Sequence, residues 1–429
     1  MKKLTLSLLL AVCCLAALTF APSCSDKCEQ TFTYMAHEPV YLSLQDLRKP
    51  IAVTAPRDLK KPGKIYFKAP YLLINEFHEG IHVINNSNPA SPQNIAFIEI
   101  KGNVDMAVKN NVLYADNYVD LLAIDITNPE NATILSRTEN VFSDFYPFDS
   151  ENGIITGYNE VERTEVFDCN TGGLFYYAED ALSSSSGGAA PVNTHTGNSG
   201  GNSTNNAPSA GVGGSMARFT LVNDYLYIVT LSNLHSYNVA TPAQPQMSSV
   251  VNIGWNIETI FPFKNHLLIG APTGMFVYGL SNPATPNFVS TFAHVTSCDP
   301  VVAEGNYAYV TLRSGTFCQG FTNQLDVLDI SDINNPTLVK TYPMTNPHGL
   351  GIDNGTLFIC DGDAGLKIYD ATDVYTIDQH QLAHYDNINA FDVIPYNQVL
   401  LMIGSNGLYQ YDYSNLQQIS LLSTIPVKP

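Results

Sequence analysis

The chain has 429 residues, of which 14% are charged and 10% aromatic, and its formal net charge is −19. Because a chain with this negative charge is repelled by phosphate backbones, we do not expect nucleic acid as a partner. Few charges combined with many tyrosines and phenylalanines indicate an all-β protein with little exposed helix. A chain of this length ordinarily forms two or three domains, unless repeats each add their own slice of core.

The N-terminal segment is typical of an export signal. The stretch KKLTLSLLLAVCCLAALTFA places two lysines before a long apolar run, so we assign residues 1–23 to a signal peptide outside the fold. Cys24, with Ser23 before it and Ala21 at the third position back, resembles the lipobox of bacterial lipoproteins. Pro22 and Ala21 depart from the usual motif, and the alternative is cleavage after a small residue to release a soluble protein.

Lipidation of Cys24 would make the protein a lipoprotein of the cell envelope. Residues 24–63 would then form a tether and lead-in, and several acyl chains would hold the protein to the membrane. No other stretch of the sequence reaches the about 18–20 apolar residues that span a bilayer. We therefore expect an outer-membrane lipoprotein attached through its N-terminus alone, on either the periplasmic or the surface-exposed face.

The five cysteines beyond Cys24 have no metal-binding spacing. They include no Cys-x-x-Cys pair and no Cys/His cluster, so we predict no metal site. An oxidising compartment permits disulfides, and a bridge between Cys298 and Cys318 would close a loop of about 20 residues, contributing on the order of 3 kcal/mol. The alternative is that these two residues are independent buried thiols.

Two distant segments carry nearly the same sequence. GIHVINNSNPASPQNIAFI occupies residues 80–98, and GMFVYGLSNPATPNFVSTF occupies residues 274–292. The tract at 183–214 is rich in Ser, Gly and Asn, cannot bury apolar surface and is expected to be a disordered insertion, and a shorter insertion lies at 313–324. With these set aside, the prolines of the repeated turn recur about every 40 residues. They are Pro89, Pro129, Pro242, Pro283 and Pro336.

Each repeated unit contains four short runs rich in Val, Tyr, Leu and Ile. EGNYAYV, VNDYLYIV and KNNVLYA place a turn before the second run, and Gly, Asn and Asp suit it because they tolerate positive φ. Four alternating strands per unit predict a β-propeller over residues 64–429 whose last blade packs on its first. We favour eight blades, and seven result if the irregular unit at 143–180 merges with its neighbour. The units begin near residues 64, 103, 143, 215, 256, 298, 346 and 388.

The third run of each unit resembles the LVIVD repeat, a cell-surface repeat of bacteria and archaea. The resemblance covers about residues 64–429, and EPVYLSLQDLRKPIAVTAPRDLKKPGKIY resembles the lead-in of Bacteroidota lipoproteins of this kind. It implies a β-propeller fold, and it transfers no catalytic motif. The segments that carry it are GIHVINN at 80–86, DLLAIDIT at 120–127, LDVLDIS at 325–331, DGDAG at 361–365 and GLKIYDA at 365–371.

Charged residues recur where the first strands of the blades begin. In a propeller these strands line the central channel, and their starts gather at one mouth. A ring of carboxylates with one Arg and one His could hold a cation or an ionic ligand. Alternatively, the groups satisfy turns and one another in a water-filled channel. The aligned residues are Asp105, Arg218, Glu258, Asp299, His348 and Asp392.

Two further features are interpreted as structural. Asp361 and Asp363 in CDGDAG are spaced as in a calcium loop, but no Glu follows at the twelfth position, so we predict a hairpin turn. Trp255, the single Trp, could stack on a sugar, although packing is the more common role at a blade edge. No nucleophile elbow is present and no carboxylate pair stands out, so we assign no catalytic residue.

The leading functional hypothesis is an exported, lipid-anchored, monomeric scaffold that binds a protein or glycan partner without enzymatic activity or cofactor. The rival is an enzyme at the channel mouth, either a glycan hydrolase or lyase or a quinone-dependent dehydrogenase, and only analogy of fold supports it. A related possibility is an accessory protein of polysaccharide uptake, which predicts measurable sugar binding. A metal or cofactor in the purified protein would favour the enzyme.

Overall fold

The computed structural model describes residues 29–168, 210–294, 300–314 and 322–428. These residues are dominated by β-strands, numbered here in chain order. They are β1 Glu29–Leu42, β2 Ala52–Thr54, β3 Pro62–Lys68, β4 Tyr71–Glu76, β5 Gly80–Asn85, β6 Gln93–Glu99, β7 Met106–Lys109, β8 Val112–Asn117, β9 Asp120–Asp125, β10 Thr133–Thr138, β11 Phe148–Asp149, β12 Gly153–Asp168, β13 Val212–Gly213, β14 Phe219–Val222, β15 Tyr225–Val229, β16 Asn233–Asn238, β17 Gln246–Asn252, β18 Thr259–Phe263, β19 His266–Ala271, β20 Gly274–Gly279, β21 Asn287–Ala293, β22 Val301–Glu304, β23 Tyr307–Leu312, β24 Gln324–Asp329, β25 Thr337–Pro343, β26 Leu350–Asp353, β27 Thr356–Cys360, β28 Leu366–Asp370, β29 Gln381–Tyr385, β30 Ala390–Tyr396, β31 Val399–Gly404, β32 Gly407–Asp412 and β33 Ser420–Pro426.

Six sheets have four antiparallel strands, as predicted for blades, and a seventh contains the same four-strand order, β3–β6, between β13 and β2. The first strand of each blade contacts the first strand of the next, and β30 contacts β3, so the first strands close a ring. The predicted all-β propeller is thus confirmed. The blades, in order, are β3–β6, β7–β10, β14–β17, β18–β21, β22–β25, β26–β29 and β30–β33.

The favoured count of eight blades does not fit the described residues, whereas the alternative count of seven does. Over its described residues, 143–168, the predicted unit near residue 143 forms no blade, because β11 and β1 flank β12 in a separate three-stranded sheet. Its sequence explains the difference: β12 is exposed over residues 158–166 and has no apolar face to bury between two blades. β7 also contacts β14 directly, which leaves no space for a blade between them.

Two compact units share the chain. Of the described residues, the larger comprises 41–156, 210–294, 300–314 and 322–428, and the smaller comprises 29–40 and 157–168. In the smaller unit, Thr33 and Thr164 join β1 to β12 through their hydroxyls at 3.1 Å, and Arg163 pairs with Glu38. The larger unit holds the blades and one α-helix in the described range, Leu44–Leu47, and 3-10 turns at Pro129–Asn131 and Ile377–Gln379. No helix in the described ranges is long and apolar enough to cross a membrane.

The predicted turns before the second strands are built on residues of positive φ. Asn110, Asn223 and Asn354 have φ between 49° and 54°, which asparagine adopts more readily than most residues. A second recurrent turn follows the third strand, where Asp125 and Asp329 each accept the N–H two residues further on at 2.8 Å. This bond explains why the LVIVD-like runs end in Asp: the carboxylate starts the turn that leads to the outer strand.

Every outer strand carries a register shift against its neighbour. Such bulges bend and twist a strand, so they interrupt the row of unpaired N–H and C=O groups that an edge presents. The shift lies near the middle of each outer strand, as between Val327 and Leu328 in the partner register of β25. The repeated bulge therefore discourages edge-to-edge pairing between copies of the chain.

The repeated Asn-Pro or Thr-Pro turn forms part of several seams between blades. Ser136 Oγ donates to the Ala243 carbonyl at 2.7 Å, and Ser249 Oγ donates to the Ala284 carbonyl at 2.8 Å. In both cases an outer-strand serine bonds the turn of the following blade. The motif written at both 80–98 and 274–292 is therefore a docking point for the preceding blade.

The closing seam uses the same bond. Ser423 Oγ in the last blade donates to the Pro89 carbonyl in the first at 2.6 Å. Asn86 and Gln410 exchange two side-chain hydrogen bonds at 2.9 and 2.8 Å in the buried seam. Apolar residues of both blades form one cluster there, Leu72 and Ile74 packing with Leu401 and others. The last blade thus packs on the first, as the repeat predicts.

Candidate functional site

The starts of the first strands meet around a cavity of about 280 Å³, the mouth cavity. Three predicted residues, Arg218, Glu258 and His348, line it. Asp105 and Asp392 are each 2% exposed and stand outside the lining, where each accepts the N–H of the next residue, at 2.7 and 2.9 Å. Asp299 lies outside the described residues. The aligned residues are therefore no uniform ring of carboxylates: two aspartates are buried while the Arg, Glu and His face the cavity.

Two cations of the lining were missed by the alignment. Lys64 lies inside β3, and Arg313 follows β23, yet both line the cavity. Their positions in the repeat differ from the strand start, so alignment on one turn could not select them. Arg313 begins the predicted insertion at 313–324. A cation at the point where the repeat is interrupted is the sequence feature that could have identified it as a site residue.

An ion network joins the first three blades behind the cavity. Lys64 Nζ lies 2.6 Å from Asp105 Oδ2, and the backbone N–H of Arg218 donates to the same oxygen at 2.6 Å. The Arg218 guanidinium lies 3.4 Å from Asp116 Oδ2, and its Cζ is 4.7 Å from the centre of the Phe145 ring. Burial raises the pKa of Asp116 to about 6, and the charge of Arg218 opposes that shift.

Residues 210–218, the channel segment, run along the inner edge of the ring before β14 begins. Ala210 bridges Lys109, and β13 pairs antiparallel with β3. Of the tract predicted to be disordered, residues 183–209 lie outside the described residues, whereas residues 210–214 do pair with the first blades. The segment enters the space enclosed by the first strands and ends beside the mouth cavity, where Met216 and Arg218 line it.

Glycine lets the channel segment lie close to its surroundings. A Cβ on Gly211 would stand 2.4 Å from the Phe67 carbonyl oxygen, and one on Gly214 would stand 1.9 Å from Asp392 Oδ2. At Gly211 the neighbour is backbone, so only glycine allows this approach, whereas at Gly214 a side chain would displace the Asp392 carboxylate. The small residues that predicted disorder are the ones that this narrow space requires.

Asp392 anchors the end of the channel segment. Ser215 Oγ donates to Asp392 Oδ1 at 3.2 Å and accepts the N–H of Leu350 at 2.8 Å. Burial raises the pKa of Asp392 to about 7, and the N–H of Val393 and the charge of Lys64 oppose this shift. Ser215 therefore links the segment to the last two blades, through Leu350 of the sixth and Asp392 of the seventh.

The far wall of the cavity combines His348, Arg313 and Glu258. Burial, followed by the positive charge of Arg313, lowers the pKa of His348 to about 4, so this imidazole is neutral near pH 7. Burial also lowers the pKa of Arg313, and the charge of Glu258 counteracts it. This wall offers a neutral ring, one guanidinium and one carboxylate to a ligand.

The remaining predicted residues have different outcomes. Asp361 starts the predicted hairpin turn, and its buried carboxylate pairs with Lys367 Nζ at 2.5 Å. Packing is the wrong interpretation of Trp255, because the residue is 82% exposed. Cys24, Cys298 and Cys318 lie outside the described residues, so the lipidation and the disulfide stay predictions. Within the described ranges, no group of three or more His, Cys, Asp or Glu residues could hold a metal ion.

Comparison with known proteins supports the fold. The LVIVD repeat model matches residues 297–344, which contain the fifth blade rather than the whole predicted range. None of the curated proteins matches the sequence.

Solved structures extend the likeness to most of the chain. The periplasmic gluconolactonase PpgL of Pseudomonas aeruginosa is 11% identical with a TM-score of 0.53, over 85% of this chain and 96% of that one. The computationally designed Ika8 protein is 9% identical with a TM-score of 0.50, over 86% of this chain and 89% of that one. At such identities the likeness concerns the fold alone. The chain is a repeat β-propeller, one blade of which matches the LVIVD repeat.

Proposed function

We propose that this protein is a binding module whose mouth cavity takes the end of a glycan, without chemical turnover. The observation that carries the proposal is the channel segment. By pairing with β3 and bonding Asp392 through Ser215, it occupies the inner edge of the ring next to the cavity. An open water-filled channel has no such floor, whereas a ligand site needs a concave surface with a few polar groups among apolar ones.

The lining supports a polar but partly apolar ligand. Arg218, Asn256 and Glu258 offer donors and acceptors for hydroxyl groups, and Leu231 and Ile257 add apolar surface. Sugars present both kinds of surface, since their hydroxyl groups lie around the ring and their C–H groups lie on its faces.

The rim supports a sugar in particular. Trp255 immediately precedes the lining residues 256–259, and Asn256 has φ of 61°. An indole that is 82% exposed next to a cavity provides a flat apolar surface on which a sugar ring can stack. This proposal gives the exposed Trp a role that packing does not.

The test is glycan binding by the purified chain, measured on a glycan array and then by calorimetry. We expect binding that Trp255→Ala weakens, while Phe77→Ala, which removes a half-exposed aromatic side chain outside the cavity lining, leaves it unchanged. A chain that binds no glycan, or that consumes its ligand, would refute the proposal.

We further propose that the module is held at the cell envelope through lipidation of Cys24. The support is the apolar leader and the cysteine that follows it. In cells, Cys24→Ser should move the protein from the membrane to the soluble fraction and abolish incorporation of labelled palmitate. Cys28→Ser is the matched control, and unchanged labelling of Cys24→Ser would place the anchor elsewhere.

A further inference from the structure

We propose that the glycan is acidic, and that its carboxylate lies against the guanidinium groups of Arg218 and Arg313. This inference rests on the proposed function of the mouth cavity, and it specifies the ligand class. Both arginines line the cavity. Guanidinium groups match carboxylates because their N–H donors lie in one plane as a fork.

Arg218 is held in place without tight pairing of its guanidinium. Its Nε lies 4.0 Å from Asp105 Oδ2, and its Nη2 lies 3.4 Å from Asp116 Oδ2. Both distances exceed the roughly 2.7–2.9 Å of a strong ionic hydrogen bond. Asp105 is already engaged at 2.6 Å by Lys64 Nζ and at 2.6 Å by the Arg218 backbone. The guanidinium therefore keeps donor capacity for a ligand.

The Phe145 ring orients the Arg218 fork. The guanidinium carbon stands 4.7 Å from the ring centre, and Phe145 itself lines the cavity. Stacking of this kind holds the guanidinium plane while leaving its edge donors open. Arg218 is thus prepared for a planar acceptor before any ligand arrives.

The charges are layered across the cavity wall. Lys64, Arg218 and Arg313 line the cavity, whereas Asp105 and Asp116 stand behind the lining and are nearly fully buried. Glu258 is the one acidic residue among the lining residues of the described chain. A ligand entering the cavity therefore meets mainly cationic groups, and the acidic overall charge of −19 does not represent this site.

Arg313 supplies the second cation from another blade, since it follows β23 whereas Arg218 precedes β14. It lines the cavity together with Pro300 and His348, and burial lowers its pKa, so its charge is partly desolvated. A carboxylate beside Arg313 would restore the interactions that this charge loses by leaving water. In this proposal, two arginines from different blades share one anionic group.

The experiment uses matched pairs of oligosaccharides that differ only at C6, such as cellopentaose and the corresponding pentamer of glucuronic acid. Calorimetry with the full chain should show the acidic member binding at least about tenfold more tightly, because hydrogen bonds to charged groups are the strong ones. Raising the salt concentration should weaken the acidic ligand more than the neutral one.

Variants locate the preference. Arg218→Gln and Arg313→Gln should each remove most of the preference for the acid while retaining binding of the neutral member. Arg218→Lys, which keeps the charge, should recover only part of it because the fork is lost. Arg163→Gln, an exposed arginine of the smaller unit, is the control. Thermal unfolding of each variant establishes that it is folded.

The outcomes separate the two proposals. If the chain binds neutral and acidic members equally, or if both arginine variants keep the preference, the carboxylate inference is wrong and glycan binding stands. If no member of any pair binds, and the array is also empty, the proposed function itself is refuted.

Discussion

The blades and the channel segment of this protein pack against their neighbours in different ways. A blade buries broad apolar faces against two neighbours. Equivalent contacts recur at different seams, as in the hydrogen bonds that Ser136, Ser249 and Ser423 donate to the next blade. Residues 210–218 bury almost no large side chain and instead bring Gly211 against the Phe67 backbone and Gly214 against the Asp392 carboxylate.

We expect the recurrent contacts to determine the stability of the ring and the contacts that occur once to determine what the cavity binds. Contacts that recur between blades, such as the serine bonds across the seams, hold the ring together. Contacts that occur once, such as Ser215 with Asp392 and Lys64 with Asp105, shape the mouth cavity. Changes in the first group should therefore alter stability, and changes in the second should alter the site.

The largest effect is expected from removing the last blade. Deleting residues 388–429 would expose the apolar faces of Leu72 and Ile74 in the first blade and open the ring. At about 25 cal/mol per Å² of apolar surface the loss amounts to several kcal/mol, so cooperative unfolding should be lost. Circular dichroism and proteolysis are the measurements. A truncated chain that retains a cooperative transition near the full-length midpoint would contradict the closed ring.

A large side chain at one position of the channel segment should come next. Gly214→Val would place a Cβ 1.9 Å from Asp392 Oδ2, so the segment or the buried Asp392 carboxylate must move and the melting temperature should fall markedly. Gly157→Val is the control, since a Cβ there meets nothing within 4 Å. If Gly214→Val is as stable as Gly157→Val, the segment does not occupy the ring.

Replacing residues 183–205 by a short Gly/Ser linker should change the melting temperature by a few degrees at most.

The third prediction concerns pH. The folded-state pKa of Asp392 is about 7, above its ordinary 3.8, so the folded state binds the proton more tightly and stability falls as pH rises from about 4 to 7. At about 1.4 kcal/mol per pKa unit, the upper limit is on the order of 4 kcal/mol.

Asp392→Asn tests this dependence. Melting temperatures between pH 4 and pH 8 should fall less for Asp392→Asn than for the wild type, and Asp116, with its pKa raised to about 6, leaves part of the dependence in place. Asp332→Asn, in an exposed turn, should behave as the wild type does. Parallel curves for the wild type and Asp392→Asn would show that the buried carboxylate does not titrate in this range.

The smallest expected effect compares two seams. Ser423→Ala removes the bond to Pro89 at the closing seam, and Ser290→Ala removes the bond to Ile333 at an internal seam. Each should cost about 1 kcal/mol, the usual net value of one hydrogen bond. Equal shifts in denaturant midpoint would show that the closing seam is an ordinary one, and a much larger loss for Ser423→Ala would show that closure depends on it.

The sequence by itself determined the blades. The signals that predict them are local, because each affects only residues close to it in the chain. They are apolar alternation, Asn and Gly at turns of positive φ, and Asp at the end of the third strand. The start of the last unit, predicted near residue 388, lies close to β30 at Ala390 for this reason. The irregular unit near 143 resembles a blade in sequence because its apolar runs resemble strands. That it has no apolar face to bury between two blades becomes visible only in the assembled ring.

Only the tertiary structure decided the site. Arg218, Glu258 and His348 follow from the repeat because they stand near the starts of first strands, but Lys64 and Arg313 reach the cavity from other positions. The channel segment has no apolar pattern, and its place depends on a narrow space between strands far apart in the chain. Such a space, like the burial that raises the pKa of Asp392, is a property of the closed ring and of no single stretch of sequence.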